Sequence, residues 1–300
     1  MGKADRIRQR NARERIAAQQ AATRRAEARR RTFIAFGTVL SVVAIVVALI
    51  VVKNLDKSTP AQAATAASSQ SVAKQITTVP AATLNQVGKG TTSPLLPTKG
   101  KPPVLMSGGK PLVVYMGAEY CPYCAAERWA LTVALSRFGT FSNLHFIHSS
   151  STDVYANTPT LTFYKSSYTS KYIDFQPVEM QSLKATSGGY ATLQKPTAAQ
   201  SALMTKYDAP PYLPTADSGS YPFVDFGNQY LVLGAQYLPS ALAKLSWSQI
   251  AADVRSPSTA VAQDVDGAAN SMTAAICKIT KDAPAAVCSS AAATAGEGSL

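Results

Sequence analysis

Leu112-Val113-Val114-Tyr115-Met116-Gly117-Ala118-Glu119-Tyr120-Cys121-Pro122-Tyr123-Cys124-Ala125-Ala126-Glu127-Arg128-Trp129 sets a strand, a turn and a helix in one line of sequence. Leu112 to Met116 is an unbroken apolar run, the pattern of a strand buried on both faces. Beyond Cys124, the residues Trp129, Leu131, Val133, Ala134, Leu135 and Phe138 keep one side apolar until Gly139 supplies a stop. The order is therefore strand, Cys-x-x-Cys, helix.

Two cysteines at such a junction have a specific use. The first thiol sits where unpaired N–H groups and the helix dipole favour negative charge, which lowers its pKa. A thiolate attacks a disulfide, and a second thiol two residues on can resolve the mixed disulfide. Cys121 is expected to be the nucleophile and Cys124 the resolving residue. Pro122 suits the first helical turn, where its missing N–H costs little. Tyr123, unlike a histidine, adds no positive charge beside the thiolate, so redox poise stays open. Two rival readings are a zinc site and a purely structural disulfide. Zinc needs about four ligands, and the only histidines, His145 and His148, fall on opposite faces of a strand. No metal and no cofactor is expected.

Working outward, Gly108-Gly109 sits between two apolar runs as a tight turn, and Gly227-Asn228 joins Pro222–Phe226 to Gln229–Leu233 in a second hairpin. LHFIHSS from 144 and the aromatic, β-branched stretch 160–180 read as strands. Residues 181–220, with Gly188-Gly189 and Pro210-Pro211, read as an insertion carrying a helix near 197–207. Helices are expected over 240–254 and 259–281, with a disordered tail at 293–300. Cys277 and Cys288, with ten residues between them and away from any strand-to-helix junction, read as a structural disulfide pinning the last helix, with a relay dithiol as the rival.

The net charge of +12 belongs mostly to one end. Lys3 and ten arginines among residues 1–31 face only Asp5, Glu14 and Glu27, which puts +8 there. Such a tail reads as a topology signal or lipid-headgroup contact, and nucleic acid is the weaker reading for its partner. Phe33 to Val52 follows without a charge, long enough as a helix to cross a bilayer core of about 30 Å. The arrangement predicts a basic cytoplasmic tail (1–32), a single transmembrane helix (33–52), a flexible Ala/Ser/Thr/Gln tether (53–76) and an extracytoplasmic domain (77–292) at the plasma membrane. A cleaved signal peptide ending near Ala61-Gln62-Ala63 is the rival, but its apolar stretch would be shorter. All four cysteines then face an oxidising compartment, where disulfides persist.

GAEYCPYCAAERWALTVALSRFGTF, SSSTDVYANTPTLTFYKSSYTSKYIDFQPVE and ICKITKDAPAAVC resemble the membrane-anchored, thioredoxin-like family known as domain of unknown function 929. The resemblance implies an α/β thioredoxin-like fold with an insertion. In that fold a cis-proline faces the Cys-x-x-Cys motif and exposes the preceding backbone to a bound polypeptide, a place filled here by Pro222 and Tyr221, with an ordinary trans proline as the rival. Aligned on thioredoxin, Tyr115 falls where a buried aspartate assists proton transfer. Glu127, three residues past Cys124, is the expected substitute, against a surface ion pair of Glu127 or Arg128.

The leading expectation is an extracytoplasmic thiol–disulfide oxidoreductase using Cys121, Cys124, Pro222 and Glu127, with Tyr221, Pro122 and Tyr123 meeting substrate. Its partners would be exported protein thiols and disulfides and a membrane disulfide oxidase or reductase. The alternative is a non-catalytic binding or assembly module of the cell envelope. A thiol peroxidase ranks last, since no peroxide-cradling constellation accompanies a lone cysteine.

Overall fold

The computed structural model describes residues 66–300, which form a mixed α/β unit. In chain order its elements begin with helices α1 (Ala66–Thr77) and α2 (Ala81–Val87), then strands β1 (Leu96–Pro97), β2 (Met106–Ser107) and β3 (Lys110–Gly117). Helix α3 (Pro122–Ser136) leads to β4 (Gly139–Ser142), β5 (His145–His148), β6 (Pro159–Thr162), β7 (Ser167–Ser170) and β8 (Asp174–Glu179). Next come the hairpin β9 (Gln181–Thr186) and β10 (Gly189–Thr192), helix α4 (Ala198–Tyr207), and strands β11 (Phe223–Phe226) and β12 (Tyr230–Leu233). Helices α5 (Trp247–Asp253), α6 (Ala260–Ile279), α7 (Ala285–Cys288) and α8 (Ala291–Glu297) close the chain.

The central sheet is mixed. β3 pairs parallel with β8 and antiparallel with β11, and the order continues through β12 to β1. Successive side chains of a strand point to opposite faces, and β3 divides accordingly. Val113 and Tyr115 join the large core beneath α3 and α6, while Leu112, Val114 and Met116 join a smaller core with Tyr207 and Phe223. Both hairpin dipeptides adopt the positive φ that a two-residue turn requires, Gly108 and Gly109 in one, Gly227 and Asn228 in the other. Several helix starts are capped by side chains. Thr197 and Ser246 form capping boxes with Gln200 and Gln249, and Thr259 caps α6.

Four expectations from sequence change. The stretch 66–76, assigned above to a flexible tether, is helical. Val72 and Ile76 are buried in the main core, and Arg255 Nη1 donates to Gln75 O at 2.9 Å and Thr78 O at 2.7 Å. Two well-spaced apolar residues and an external cap stabilise a helix whose composition alone would leave it unfolded. The expected disordered tail is also helical over most of its length. Ser290 caps α8, Ala292, Ala293 and Gly296 are buried, and a Cβ at Gly296 would stand only 2.2 Å from Asn270 O. Smallness there serves close approach, not freedom. The helix expected over 240–254 splits into a 3-10 turn at Pro239–Leu242 and α5, with Lys244 at φ 63 between them. The second expected helix ends at Ile279, followed by positive φ at Lys281 and Asp282.

The expected basic tail (1–32), transmembrane helix (33–52) and first part of the tether (53–65) lie outside the described residues. Among the described residues no helix is long and apolar enough to cross a membrane.

Candidate functional site

β3 ends at Gly117, and four residues later Cys121 caps α3, with Pro122 in its first turn. The connecting segment is held on several sides. Arg128 Nη2 donates to Ala118 O at 2.7 Å, Glu119 N donates to Gln181 O at 2.9 Å, and Ser150 N donates to Tyr120 O at 2.8 Å. The two cysteines, both free thiols, are then placed differently. Cys121 is 6% exposed and Cys124 is 0% exposed.

The Cys121 sulfur accepts from Cys124 N at 3.2 Å, as an N-cap does, and lies 3.9 Å from Tyr221 O. Its thiol pKa is lowered, chiefly by the hydrogen bond with the Cys124 side chain. Burial opposes the shift, while the Cys124 and Tyr123 N–H groups and the Arg128 charge support it. The Cys124 thiol is pushed well above its ordinary value, first by burial and then by Cys121. One thiol is therefore disposed to ionise and the other to keep its proton.

Pro222 is buried and its peptide bond with Tyr221 is cis. It immediately precedes β11, which pairs with β3, so the backbone of Tyr221 faces the first cysteine. Pro122 is buried and Tyr123 lies at the surface, 36% exposed, with its ring edge-on to Tyr155 at 5.7 Å. Tyr120 stacks on Tyr190 at 4.0 Å, and Tyr190 Oη donates to Ser150 Oγ at 2.6 Å. Tyr120, Tyr123, Tyr155, Tyr190 and Tyr221 thus flank the motif, drawn from the strand-to-helix turn, the 149–158 loop, β10 and the entry to β11.

Beneath the cysteines lies a buried ion pair. Arg128 Nε and Nη2 donate to the two oxygens of Glu179 at 2.8 and 2.7 Å, with both side chains 0% exposed. Phe163 N adds a third donor to Glu179 at 3.2 Å. Sheet register puts Glu179 beside Gly117. The surface ion pair entertained for Glu127 or Arg128 is corrected on both counts. The arginine pairs inside, and Glu127 is fully buried, its Oε2 accepting from Gln236 N at 3.0 Å. Burial raises the Glu127 carboxyl to about 8. Its hydrogen bond runs to Gln236, not to either thiol.

Tyr115 is wholly buried and its hydroxyl has no hydrogen-bond partner. Its ring packs edge-on to Phe163 at 5.2 Å and lies 5.9 Å from the Arg128 guanidinium carbon. A Cβ at Gly117 would fall 2.2 Å from Tyr115 Oη and 3.1 Å from Cys124 Sγ. Only glycine leaves room for both groups at that point. The tyrosine, the arginine and the Cys124 thiol therefore lie together out of contact with water, and burial holds the phenol protonated.

Glu179, Tyr155, Tyr190 and Ser150 were not singled out from the sequence as site residues. A carboxylate ending an apolar strand and an arginine inside an apolar helix were the available signal for the ion pair. The tyrosines carried none, since their proximity depends on a loop and a hairpin.

Cys277 and Cys288 form a disulfide between the end of α6 and α7, and Cys277 is 1% exposed. His148 packs on Trp247 at 4.6 Å, and no group of three or more metal-ligating side chains occurs among the described residues.

These features define a mixed α/β domain with a buried Cys-x-x-Cys pair at a strand-to-helix junction. The family model described as "Domain of unknown function (DUF929)" matches residues 97–278, more than half of the chain, and the chain belongs to that family. No curated protein and no solved structure matches it.

Proposed function

We propose that the chain is a membrane-anchored, extracytoplasmic thiol–disulfide oxidoreductase with a thioredoxin-like fold, acting on exported proteins. The observation that carries this reading is the asymmetry of the two thiols. Cys121 sits at the helix cap, partly reachable, with its pKa lowered, and Cys124 lies sealed behind it with its pKa raised. A central strand flanked by β8 and β11, with the Cys-x-x-Cys motif at its end and a cis-proline before β11, supports the fold assignment.

In the reductive direction the Cys121 thiolate attacks a substrate disulfide, forming one S–S bond to Cys121 and releasing the other substrate sulfur as a thiolate. Cys124 then loses its proton and attacks the Cys121 sulfur. The second substrate thiolate leaves, and the substrate has gained the two electrons that the new Cys121–Cys124 disulfide has lost. In the oxidative direction the same steps run backward. A membrane disulfide oxidase or reductase would reset the pair. The basic tail and the charge-free run from Phe33 to Val52 support anchoring with the catalytic domain outside.

The test is to express Cys124→Ala in its own cell envelope and resolve adducts on non-reducing gels. Cys121-dependent mixed disulfides are the expected result. Their absence, together with no exchange by the purified protein, would sink the proposal. A second reading, a non-catalytic binding module, draws on the tyrosines around the motif. Peptide binding without any disulfide exchange would favour it.

A further inference from the structure

The insertion that follows β8 does more than decorate the fold. Together with the sheet it lines an open cavity of about 390 Å3, bounded by Met116, Met180, Met204 and Pro196 on the apolar side. Asp208, at the C-terminal end of α4, also lines it. That residue is 2% exposed, and no side chain donates a hydrogen bond to its carboxylate. Burial raises the Asp208 carboxyl to about 6, with the Gly219 and Ser220 N–H groups pulling the other way. Among the described residues no cation pairs with it.

The cavity adjoins the cysteines. Met116 directly precedes Gly117, and Met180 N donates to Gly117 O at 2.7 Å. Tyr221, whose carbonyl faces Cys121, stands between the two. Its phenol is raised first by burial and then by Cys124, Cys121 and Asp208 in turn. A polypeptide lying along the Tyr221 backbone with its sulfur at Cys121 would thus carry a neighbouring side chain to the mouth of this cavity.

A buried carboxylate without a pairing cation, behind flexible thioether walls, is complementary to one kind of side chain. Lysine and arginine combine an aliphatic stem with a cationic head, and methionine surfaces adapt to stems of differing shape. We propose that the Met116–Met180–Met204–Asp208 cavity is a specificity pocket for a lysine or arginine side chain close to the reacting cysteine of the substrate. This rests on the oxidoreductase reading for its biological use but not for its measurement.

The full-length protein, kept in detergent, is titrated with labelled peptides in which serine replaces the cysteine and lysine, norleucine or glutamate stands one or two residues away. Binding is read by fluorescence anisotropy. The lysine peptide is expected to bind about tenfold tighter than the norleucine peptide, the scale of one charge-assisted contact. Asp208→Asn should bring that ratio close to one. Met204→Lys, which would place the chain's own ammonium in the cavity, should abolish the preference as well. Equal binding of the lysine and norleucine peptides, no measurable binding of any peptide, or a preference that survives Asp208→Asn would overturn the proposal. A chain that exchanges no disulfide yet keeps an Asp208-dependent preference for lysine would remove the oxidoreductase reading and leave the pocket standing.

Discussion

Arg128→Met and Glu179→Leu, made singly and together, separate the two roles of the buried ion pair. Each single change leaves a charge in a site with no exposure to water. Without Arg128, the Glu179 carboxylate retains only Phe163 N at 3.2 Å, and without Glu179, the guanidinium retains only Ala118 O at 2.7 Å. Breaking one side of such a pair costs about 3–5 kcal/mol, a large part of the roughly 5–15 kcal/mol that holds a domain folded. The double variant removes both charges and leaves two uncharged backbone groups without their partners. It should therefore cost less than the two singles combined by about 3 kcal/mol or more. Urea unfolding, read as midpoints at constant slope, gives these numbers. The thiol supplies an independent readout. Arg128→Met leaves a net negative charge beneath Cys121 and should raise its pKa, whereas Glu179→Leu leaves a positive charge and should lower it. Alkylation rate against pH measures both. Loosened packing alone would not shift the two variants in opposite directions. Shifts of the same sign, or a double variant as damaged as the sum of the singles, would refute the reasoning.

Tyr115→Phe removes a buried hydroxyl that has no partner, so stability should hold or rise by about 1 kcal/mol. In the proposed reaction it should slow resolution of the Cys121 mixed disulfide; a loss above about 2 kcal/mol would show that the hydroxyl is structurally required. Glu127 and Asp266 are both raised to about 8 by burial, from ordinary values of 4.5 and 3.8. The folded chain thus holds more protons than the unfolded one between those limits. Their stabilisation is full below about pH 4 and is lost as pH rises to 8, by up to about 1.4 kcal/mol per pH unit for each group. Glu127→Gln should flatten that slope in denaturation series, and an unchanged slope would contradict the assignment. Replacing both Cys277 and Cys288 by serine opens a loop of sequence separation 11 and should cost about 3 kcal/mol. Hydrogen exchange should then rise first in α7 and α8, and unchanged protection there would count against the disulfide as their anchor.

The central part of the fold was legible because period and punctuation agree there. The apolar run at Leu112–Met116, the helical stripe after Cys124 and the Gly108-Gly109 and Gly227-Asn228 turns each specify one conformation locally. The edges were not legible, since α1 and α8 owe their order to partners distant in sequence. Ile76 has no neighbour of its own until α3 is placed, and Gly296 has no purpose until α6 lies beneath it. The site divides in the same way. The Cys121 cap and the place of Pro222 follow from order along the chain. Glu179 reaches Arg128 only through the parallel register of β3 with β8, and register between distant strands leaves no mark on either strand alone.

Tyr115 shows how the choice of residue at one position sets requirements at others. A carboxylate beneath the resolving thiol would have added a second buried acid close to Glu179, with a single arginine to balance both. A neutral phenol adds no charge, so the Arg128–Glu179 pair stays balanced. The phenol is also longer than an aspartate and extends over Gly117, toward the point that Cys124 Sγ approaches from the helix. Glycine at 117 is what leaves room for the phenol, and the buried pair is what makes neutrality at 115 electrostatically consistent. The three positions are therefore one arrangement. A proton leaving Cys124 has Cys121, the Ala118 N–H and the Arg128 guanidinium around it, with the protonated Tyr115 hydroxyl close by, and neither the guanidinium nor the phenol is a base for it. In the proposed reaction that proton must leave by way of the departing substrate thiolate or the Cys121 side, which couples release of the substrate to closure of the disulfide.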